Sequence, residues 1–473
     1  MVIFLSILLF LTNLSFNIRP IYNNDYYWHI SVGKWILENK KIPIEDIFSW
    51  WGKSHHLPFI SHEWLSDIFM YIIGNIGILL ILILITSFLF YFLCKKLNFS
   101  KRMNFSNTFK FLYLFLGIKI LVSIEVRPLM FSLLFFSIFL ILLEKYLNND
   151  KKKYFFFLLI LQLLWVNMHG GSSSLIPLIL GILCIYGFLE KIFSSNKKHL
   201  IYSKLKKILL LLVFIIIISF INPYSYKILL YPFLNMMDST MINSIREWGS
   251  IDFHGILGIY YFSLLFLPFL SILLSKKRVS FLDLIFLFGF LFMSLRSLRF
   301  IQFYIIIGSI IIGKYMNFEI PIKREIKVNS YVIGGFLLIG LFFVSVFSIK
   351  NNISHLFQPN SYSNQAISKI IEYQPMRMFN DYDNGGYLTY RLYSEKSDIF
   401  INSIFDIYSK NIYLDYDKIT HGIDFSYYLE KYDFDLIIVP PNHMVSFFMK
   451  NQNNYSIYYK DKTAIIYVKE VVN

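Results

Sequence analysis

The sequence predicts an all-α polytopic membrane bundle of about eleven transmembrane helices, followed by a small C-terminal extracytoplasmic α/β domain. Of the 473 residues, 56% are hydrophobic and only 16% are charged, whereas soluble domains carry about 25% charged residues. Apolar runs of about 18 residues recur along most of the chain, as is typical of membrane-spanning helices. After residue 349 these runs shorten and aspartates become common.

Eleven apolar segments are candidate spans. Their approximate bounds are 1–18, 68–93, 109–126, 129–146, 154–168, 173–190, 207–221, 256–274, 281–295, 300–316 and 330–349. The first segment has no basic stretch before it and no small-residue cleavage site after it, so we expect a retained span. We therefore predict a transmembrane domain at 1–349, with a first outer loop at 19–67, and an extracytoplasmic domain at 350–473.

Every second connecting loop is basic. These loops lie at 95–102, 151–153, 197–207, 276–278 and 323–327. Lys and Arg in short loops are retained on the cytoplasmic side, so we expect the alternate loops and the tail outside a multi-pass protein of the cell membrane. The net charge of +15 is then a topology signal with an attraction to membrane lipids. It does not form the clustered basic face that a nucleic-acid partner requires.

The tail from residue 350 shows an α/β pattern. Strand-like runs occur at 376–380, 398–402 and 434–439, a hairpin is predicted at 455–468, and a helix at 363–373. The pair Gly385-Gly386 is typical of a turn. The pattern predicts a small α/β domain without deciding its fold.

The first outer loop carries the densest candidate chemistry, with five of the seven tryptophans and four of the ten histidines. Loops of nearly fifty residues usually have a function. Asp25 follows the first span and is a candidate general base, because a carboxylate can accept a proton from an acceptor hydroxyl. Trp28 can stack on a substrate ring, while His29, His62 and Glu63 are candidates for orienting a phosphate or the acceptor.

Two other interpretations of this loop stay open. Trp and His are common at headgroup depth, so the loop can be an interfacial anchor whose segment 30–38 is an amphipathic helix on the membrane surface. His55-His56 and His62-Glu63 also offer ligands for a divalent cation, although no HExxH or other regular metal spacing occurs. The use of a metal is therefore left unknown, and no cofactor is certain.

Several arginines lie at the predicted outer ends of the spans, although the topology rule places Lys and Arg on the cytoplasmic side. Their presence there needs another explanation. Arg127, Arg296 and Arg299 are candidates for binding a donor phosphate, since arginine forks bind phosphate oxygens in pairs. Arg296 and Arg299 share a face if their helix continues. The alternative is that these arginines form salt bridges with Glu125 or Glu247, or reach towards headgroups.

His169 ends an apolar segment at a predicted outer end and precedes Gly170-Gly171. Glycines permit a close approach of backbone to ligand, so His169 is a candidate substrate-binding residue. A helix C-cap with an interfacial histidine is an equally good interpretation.

The loop belongs to a pattern that continues along the chain. In the loop it reads D-x-x-W-H-x-x-x-G-x-W-I from Asp25, P-x-x-D-x-F-S from Pro43 and H-E-W-L from His62. Later landmarks are Arg127-Pro128, Trp165-x-Asn167-x-His169-Gly170-Gly171, Asn222-Pro223-Tyr224, Glu247-Trp248, Arg296-x-x-Arg299-Phe300, Asn380-Asp381-Tyr382 and Gly385-Gly386-Tyr387. This pattern resembles bacterial membrane proteins of the GT-C glycosyltransferase superfamily, which includes protein O-mannosyltransferases and aminoarabinose transferases.

The resemblance implies a multi-helix membrane enzyme that moves a sugar from a polyprenyl-phosphate donor to a hydroxyl of a glycan, lipid or protein acceptor at the outer face. It also implies a catalytic acid in the first outer loop, where Asp25 is the matching position. Many superfamily members carry two neighbouring acids there, whereas this chain has Asn24-Asp25. Glu63 is a candidate second acid that folding would bring close.

Three other functions stay open for this chain. A flippase or transporter of lipid or polysaccharide would favour internal repeats and charges near the bilayer midplane, and the sequence shows no repeat. A polysaccharide polymerase or ligase would share the long outer loops and outer basic residues. A non-catalytic membrane protein of envelope assembly would need no pocket around Asp25.

Overall fold

The computed structural model describes residues 24–100, 105–122, 126–149, 151–193, 201–237, 242, 245, 247–317, 361–395, 397–408 and 410–470. They belong to two compact units. The helical unit takes its described residues from 76–317, and the mixed unit from 24–75 and 361–470. The predicted spans 1–18 and 330–349, the basic loop at 323–327 and Glu125 lie outside the described residues.

Helices dominate the first part of the chain. Three helices open it: α1 (Asn24–Asn39), α2 (Trp50–Ser54) and α3 (Trp64–Leu97). The next ten are α4 (Phe105–Val122), α5 (Leu129–Asn148), α6 (Lys153–Met168), α7 (Gly170–Ser173), α8 (Leu175–Phe193), α9 (Leu205–Ser219), α10 (Lys227–Met237), α11 (Ile256–Leu273), α12 (Phe281–Arg296) and α13 (Ile301–Tyr315). Each predicted span that lies within the described residues falls on one of these helices.

Four segments of the described chain are long and apolar enough to cross a membrane, which is fewer than the eleven predicted spans. They are Trp64–Leu97, Leu129–Asn148, Gly170–Ile192 and Leu298–Tyr315. Helices α6, α9 and α12 have only 15 or 16 residues, which rise about 24 Å and fall short of the roughly 30 Å hydrocarbon core. Several helices also expose large apolar side chains such as Ile76 and Ile192. Exposed apolar surface on this scale is typical of a membrane protein.

Helix α3 contains one residue with non-helical backbone angles, Gly74, at φ 67° and ψ −177°. Only glycine adopts this combination without strain. The boundary between the two compact units follows directly, between Asn75 and Ile76. The first twelve residues of α3, Trp64 to Asn75, therefore belong to the mixed unit.

The mixed unit contains a four-stranded sheet in the order β1-β2-β4-β3. Its further elements are α14 (Asn364–Tyr373), β1 (Met378–Asn380), α15 (Tyr382–Leu392), α16 (Lys410–His421), α17 (Phe425–Tyr432), β2 (Leu436–Val439), α18 (Met444–Phe448), β3 (Tyr455–Lys460) and β4 (Ile465–Lys469). Strands β1 and β2 are parallel, and β4 is antiparallel to both β2 and β3. The predicted small C-terminal α/β fold is confirmed, including the hairpin and the helix near 363–373. The expected strand at 398–402 is wrong, since Ile399 makes only an isolated bridge with Ser49.

The segment 24–75, which the sequence analysis counted with the bundle, packs with the tail in the mixed unit. Trp28, Val32, Ile36, Phe48 and Phe59 join one hydrophobic core with residues of the tail. The Trp50 amide and indole N–H groups donate to the carbonyl oxygens of Ile399 and Met378, each at 3.0 Å. Helix α1 is therefore a packed core helix, and the expectation of an amphipathic surface helix at 30–38 is wrong.

Candidate functional site

Helix α1 approaches the first turn of α3 closely inside the mixed unit. A Cβ atom on Gly33 would lie only 2.1 Å from the carbonyl oxygen of Asp67, so the two backbones can meet here only because residue 33 has no side chain. His29 lies one helical turn before Gly33 and therefore on the same face of α1. The close approach brings the His29 ring to the acidic first turn of α3.

The His29 ring is buried among carboxylates. Its Nδ1 lies 2.7 Å from Asp67 Oδ1 and 3.7 Å from Glu63 Oε2. His29 is 2% exposed and Asp67 is fully buried, so water cannot replace either partner. An ionised Asp67 accepts a hydrogen bond from Nδ1, and Nε2 is then the nitrogen that carries or releases a proton.

The carboxylates raise the pKa of His29 above its ordinary value near 6.5. Burial alone would lower this pKa, but the charge and hydrogen bond of Asp67 and the charges of Glu63 and Asp25 outweigh it. The surroundings of His29 therefore favour the protonated ring more than water does. Its contribution to stability is present at low pH and is lost as the pH rises through the pKa of the folded state.

Asp25 lies in the first turn of α1 and keeps part of its surface exposed. The hydroxyl of Ser403 donates to Asp25 Oδ1 at 2.5 Å, which fixes the carboxylate from the tail side of the mixed unit.

Asn24 connects the first turn of α1 to the tail within the mixed unit. The Asn24 side-chain N–H donates to the carbonyl oxygen of Asp383 at 2.5 Å, and the Ser361 hydroxyl donates to its side-chain oxygen at 3.0 Å. An aspartate could accept the second bond but could not donate the first. The Asn24 side chain therefore links α1 to the tail through two hydrogen bonds.

Glu63 lies beside His29, with its Oε2 3.7 Å from His29 Nδ1. Its other oxygen, Oε1, lies 3.9 Å from Nδ1 of His62. Asp406, from the tail, is partly exposed, and burial, followed by the charge of Glu63, raises its pKa to about 7. We call His29, Asp25, Glu63, Asp67 and Asp406 the His29 cluster.

The His29 cluster combines titratable groups that face different surroundings. Asp25, Glu63 and Asp406 keep partly exposed carboxyl groups, which can exchange a proton with a substrate hydroxyl or bind a hard divalent cation. Asp67 is the residue that the sequence analysis missed. A signal was present, because it follows Glu63 by four positions just before the apolar run that starts at 68 and so shares its helix face.

The other candidate residues of the first loop pack against, or pair with, neighbouring residues of the mixed unit. Trp28 is 8% exposed within the hydrophobic core, and its indole N–H has no hydrogen-bond acceptor among the described residues. His55 stacks on Trp51 at 3.9 Å, and His56 Nδ1 lies 2.8 Å from Glu45. The tryptophans anchor the loop to a protein core, so the headgroup-depth interpretation does not describe Trp28.

The arginine candidates of the helical unit meet on one carboxylate. Arg127 Nη1 donates to Glu247 Oε1 at 2.7 Å, and Arg299 Nε donates to Glu247 Oε2 at 3.1 Å. The Arg299 guanidinium also lies over the Trp248 ring, 4.9 Å from its centroid. Burial alone would raise the pKa of Glu247, but Arg127 and Arg299 outweigh it and lower the pKa to about 2. We call Arg127, Glu247 and Arg299 the Glu247 bridge.

Arg296 is not part of this bridge. It is exposed at the end of α12, and Ser297 then takes an extended conformation with φ −150° and ψ 132°. The helix does not continue from Arg296 to Arg299, so the expectation that the two share a helix face is wrong. Their spacing of three residues predicts a shared face only inside an unbroken helix.

His169 is buried within the helical unit. It is the C-cap of α6 and donates its backbone N–H to the Trp165 carbonyl. Its Nδ1 lies 2.5 Å from the hydroxyl of Ser132, which accepts a hydrogen bond from the Trp165 indole at 2.8 Å. The predicted C-cap position of His169 is confirmed, and the buried ring is held between α5 and α6.

Neither the known protein-family models nor the curated proteins include a match to this chain.

Proposed function

We propose that this protein is a multi-pass membrane glycosyltransferase that moves a sugar from a polyprenyl-phosphate donor to an acceptor hydroxyl at the outer face of the cell membrane. The supporting observation is the His29 cluster, in which Asp25 and Glu63 act on one buried histidine. Asp25 is the position that matches the catalytic acid in the GT-C resemblance, and Glu63 is the candidate second acid. About eleven spans and an extracytoplasmic tail are part of the proposal.

Asp25 is the proposed general base. It has an exposed edge for the acceptor, an anchoring hydroxyl in Ser403 at 2.5 Å and a cationic neighbour in His29. As the acceptor oxygen attacks the anomeric carbon and the bond to the phosphate oxygen breaks, Asp25 would take the hydroxyl proton and the phosphate would leave with the bonding electrons. Glu63, which lies beside His29, would help hold the acceptor.

The donor phosphate is assigned to Arg127, Arg296 and Arg299 of the helical unit. Guanidinium groups stabilise the charge that develops on a leaving phosphate. Substrate contacts by Trp28, His29, His62 and His169 are predictions from the sequence, and burial of Trp28 and His169 favours roles in shaping the protein around them.

The substitution Asp25→Asn tests the proposal. It keeps the shape of the side chain and its acceptor oxygen for Ser403 but removes the base, so transfer should fall by about 10²- to 10⁴-fold. The measurement is incorporation of labelled sugar from a panel of polyprenyl-phosphate hexoses and pentoses into membrane vesicles that contain the full chain.

The matched control is Asp424→Asn, at an exposed position with φ 49° that asparagine also tolerates. It should leave transfer and expression unchanged. Full transfer in the Asp25→Asn protein would remove Asp25 from the chemistry, and absence of transfer from every donor in the wild type would remove the proposed function.

A further inference from the structure

We infer that the adjoining faces of α1 and α15 bind a neutral oligosaccharide, so that the acceptor is a glycan chain. This inference rests on the proposed function and names its acceptor class. The residues that carry it lie in the mixed unit, and we call them the tyrosine surface. They are Tyr27, Asn364, Asp383, Tyr390 and Arg391.

Helices α1 and α15 lie side by side, with their first turns together. The Asn24 side chain donates to the Asp383 carbonyl oxygen at 2.5 Å. A Cβ atom on Gly386 would lie only 2.2 Å from the Asn24 carbonyl oxygen, so the two helices meet closely there. The turn predicted for Gly385-Gly386 is therefore wrong, since both residues lie within α15. Because Asp25 follows Asn24, the proposed base lies at the end of this helix pair.

Two neighbouring tyrosine rings of this helix pair are accessible. The Tyr27 ring centroid lies 5.2 Å from that of Tyr387 and 5.5 Å from that of Tyr390. Tyr390 is 44% exposed and Tyr27 is partly exposed, whereas Tyr387 is buried and meets the Tyr27 ring edge to face. A sugar ring has an apolar face of C–H groups that can pack on such rings, while the phenol hydroxyls remain available for hydrogen bonds.

Polar groups flank the two rings. Arg391 Nη1 donates to the Tyr387 hydroxyl at 2.6 Å and to Asn364 Oδ1 at 2.7 Å. Within the part of the chain that the structure describes, no hydrogen bond uses Arg391 Nη2 or the side-chain nitrogen of Asn364. These donors and the exposed carboxylate of Asp383 suit sugar hydroxyls, which both donate and accept hydrogen bonds.

Charge and shape favour a neutral glycan over the other acceptor classes. The Arg391 guanidinium and the Asp383 carboxylate balance each other, so the tyrosine surface offers an anionic chain no net attraction. An extended peptide would be expected to add to a strand edge, whereas this surface is formed by helices. From Asp383 to Arg391, α15 rises about 12 Å, which is longer than a single sugar ring.

The experiment measures binding of neutral tetrasaccharides to the full chain in phosphatidylcholine nanodiscs. The probes are cellotetraose, maltotetraose, chitotetraose and mannotetraose, with tetragalacturonate as the anionic comparison. Saturation-transfer NMR gives each affinity. We expect saturable binding of at least one neutral probe, and weaker binding of tetragalacturonate.

Three variants test the roles of the rings and the guanidinium. Tyr390→Ala removes one ring and should lower the affinity about tenfold, whereas Tyr390→Phe keeps the ring and should stay within about twofold of the wild type. Arg391→Lys keeps the charge but loses the fork of donors, so its affinity should fall about fivefold. The matched control is Leu414→Ala in α16, where Leu414 is 43% exposed, and it should bind as the wild type does.

The rival occupant of the tyrosine surface is the lipid headgroup layer. A spin label on Tyr390→Cys, in protein that also carries Cys94→Ser and Cys184→Ser, separates the two. Greater collision with a water-soluble nickel complex than with oxygen supports the inference, and the reverse overturns it because lipid would cover the ring.

Two binding results would also overturn the inference: no saturable binding of any neutral probe, or wild-type affinity in Tyr390→Ala protein. Both measurements are independent of sugar transfer. Oligosaccharide binding without transfer from any donor would remove the proposed function and keep the tyrosine surface. Transfer to a lipid or a protein, without oligosaccharide binding, would do the reverse.

Discussion

The His29 cluster and the Glu247 bridge differ in which charge lies at their centre and in how their protonation responds to pH. In the mixed unit, carboxylates surround a buried histidine that can lose its proton. In the helical unit, two arginines surround a glutamate whose pKa lies near 2, and guanidiniums do not lose protons in proteins. Protons can therefore move at the His29 cluster, while the Glu247 bridge keeps one charge state across the physiological range. The first suits proton transfer and the second suits holding an anion.

The largest expected effect on stability comes from the pair of His29 and Asp67 in the mixed unit. Asp67→Asn leaves the buried His29 without its charged partner, so the free energy of unfolding should fall by about 3 kcal/mol. Thermal unfolding of the detergent-solubilised protein measures it. The control is Glu45→Gln, which removes the partner of the exposed His56 and should change stability by less than about 0.5 kcal/mol. Equal effects of the two variants would show that burial of the His29 pair contributes nothing.

A smaller effect on stability is expected at Gly33, where the backbones of α1 and α3 approach each other beside His29 and Asp67. A methyl group on Gly33 would collide with the Asp67 carbonyl, 2.1 Å away, so Gly33→Ala should lower the free energy of unfolding by about 2 kcal/mol and separate α1 from α3. The control is Gly181→Ala in α8, where a Cβ atom would meet nothing within 4 Å. That variant should be neutral or slightly stabilising. A neutral Gly33→Ala would mean that α1 can move away without cost.

The smallest expected effect concerns pH. Asp406 has a folded-state pKa of about 7 against an ordinary value of 3.8, so the folded protein keeps a proton that the unfolded chain releases. The stability of the wild type should therefore decline as pH rises from about 4 to 7. Asp406→Asn cannot ionise, and it should melt at a higher temperature than the wild type at pH 8 but at the same temperature at pH 4.

The effect of Asp406→Asn should stay under about 1 kcal/mol, because solvent reaches part of the side chain. The loss of the proton from His29 adds a decline in the same direction at higher pH, which Asp406→Asn leaves in place. Asp424→Asn, on the exposed surface, should follow the wild-type melting curve at every pH. A wild-type protein that gains stability from pH 4 to 7 while Asp406→Asn does not would contradict the raised pKa.

Local patterns of the sequence were enough to predict the helices and most of the sheet. Unbroken apolar runs predicted the positions of α3 to α6, and alternation around Lys460 to Lys462 predicted the hairpin of β3 and β4. Both are short-range features, in which neighbours along the chain decide the structure. The number of membrane spans was harder to predict from the sequence. Helices of about 16 residues are as apolar as a span but are shorter than the thickness of a bilayer.

Long-range pairings were not accessible from the sequence. Trp28 and Trp50 suit a headgroup layer and a protein core equally well, so composition could not show that they pack with the tail. The meeting of Asp25 with Ser403 joins residues that are distant along the chain, and no local pattern encodes it. Arg296 and Arg299 illustrate the opposite error, since a regular spacing was read across a helix end at Ser297.

Gly74 has a consequence for how the protein fits its bilayer. Beyond this glycine, residues 75–97 of α3 remain in one helix, which rises about 34 Å. A typical hydrocarbon layer is about 30 Å thick, so this segment exceeds it by only a few ångströms, and a modest tilt would remove the mismatch. Without the break, the full helix of 34 residues would measure about 51 Å. The acidic first turn, with Glu63 just before it, can therefore stay outside the lipid while the apolar remainder matches the layer's thickness.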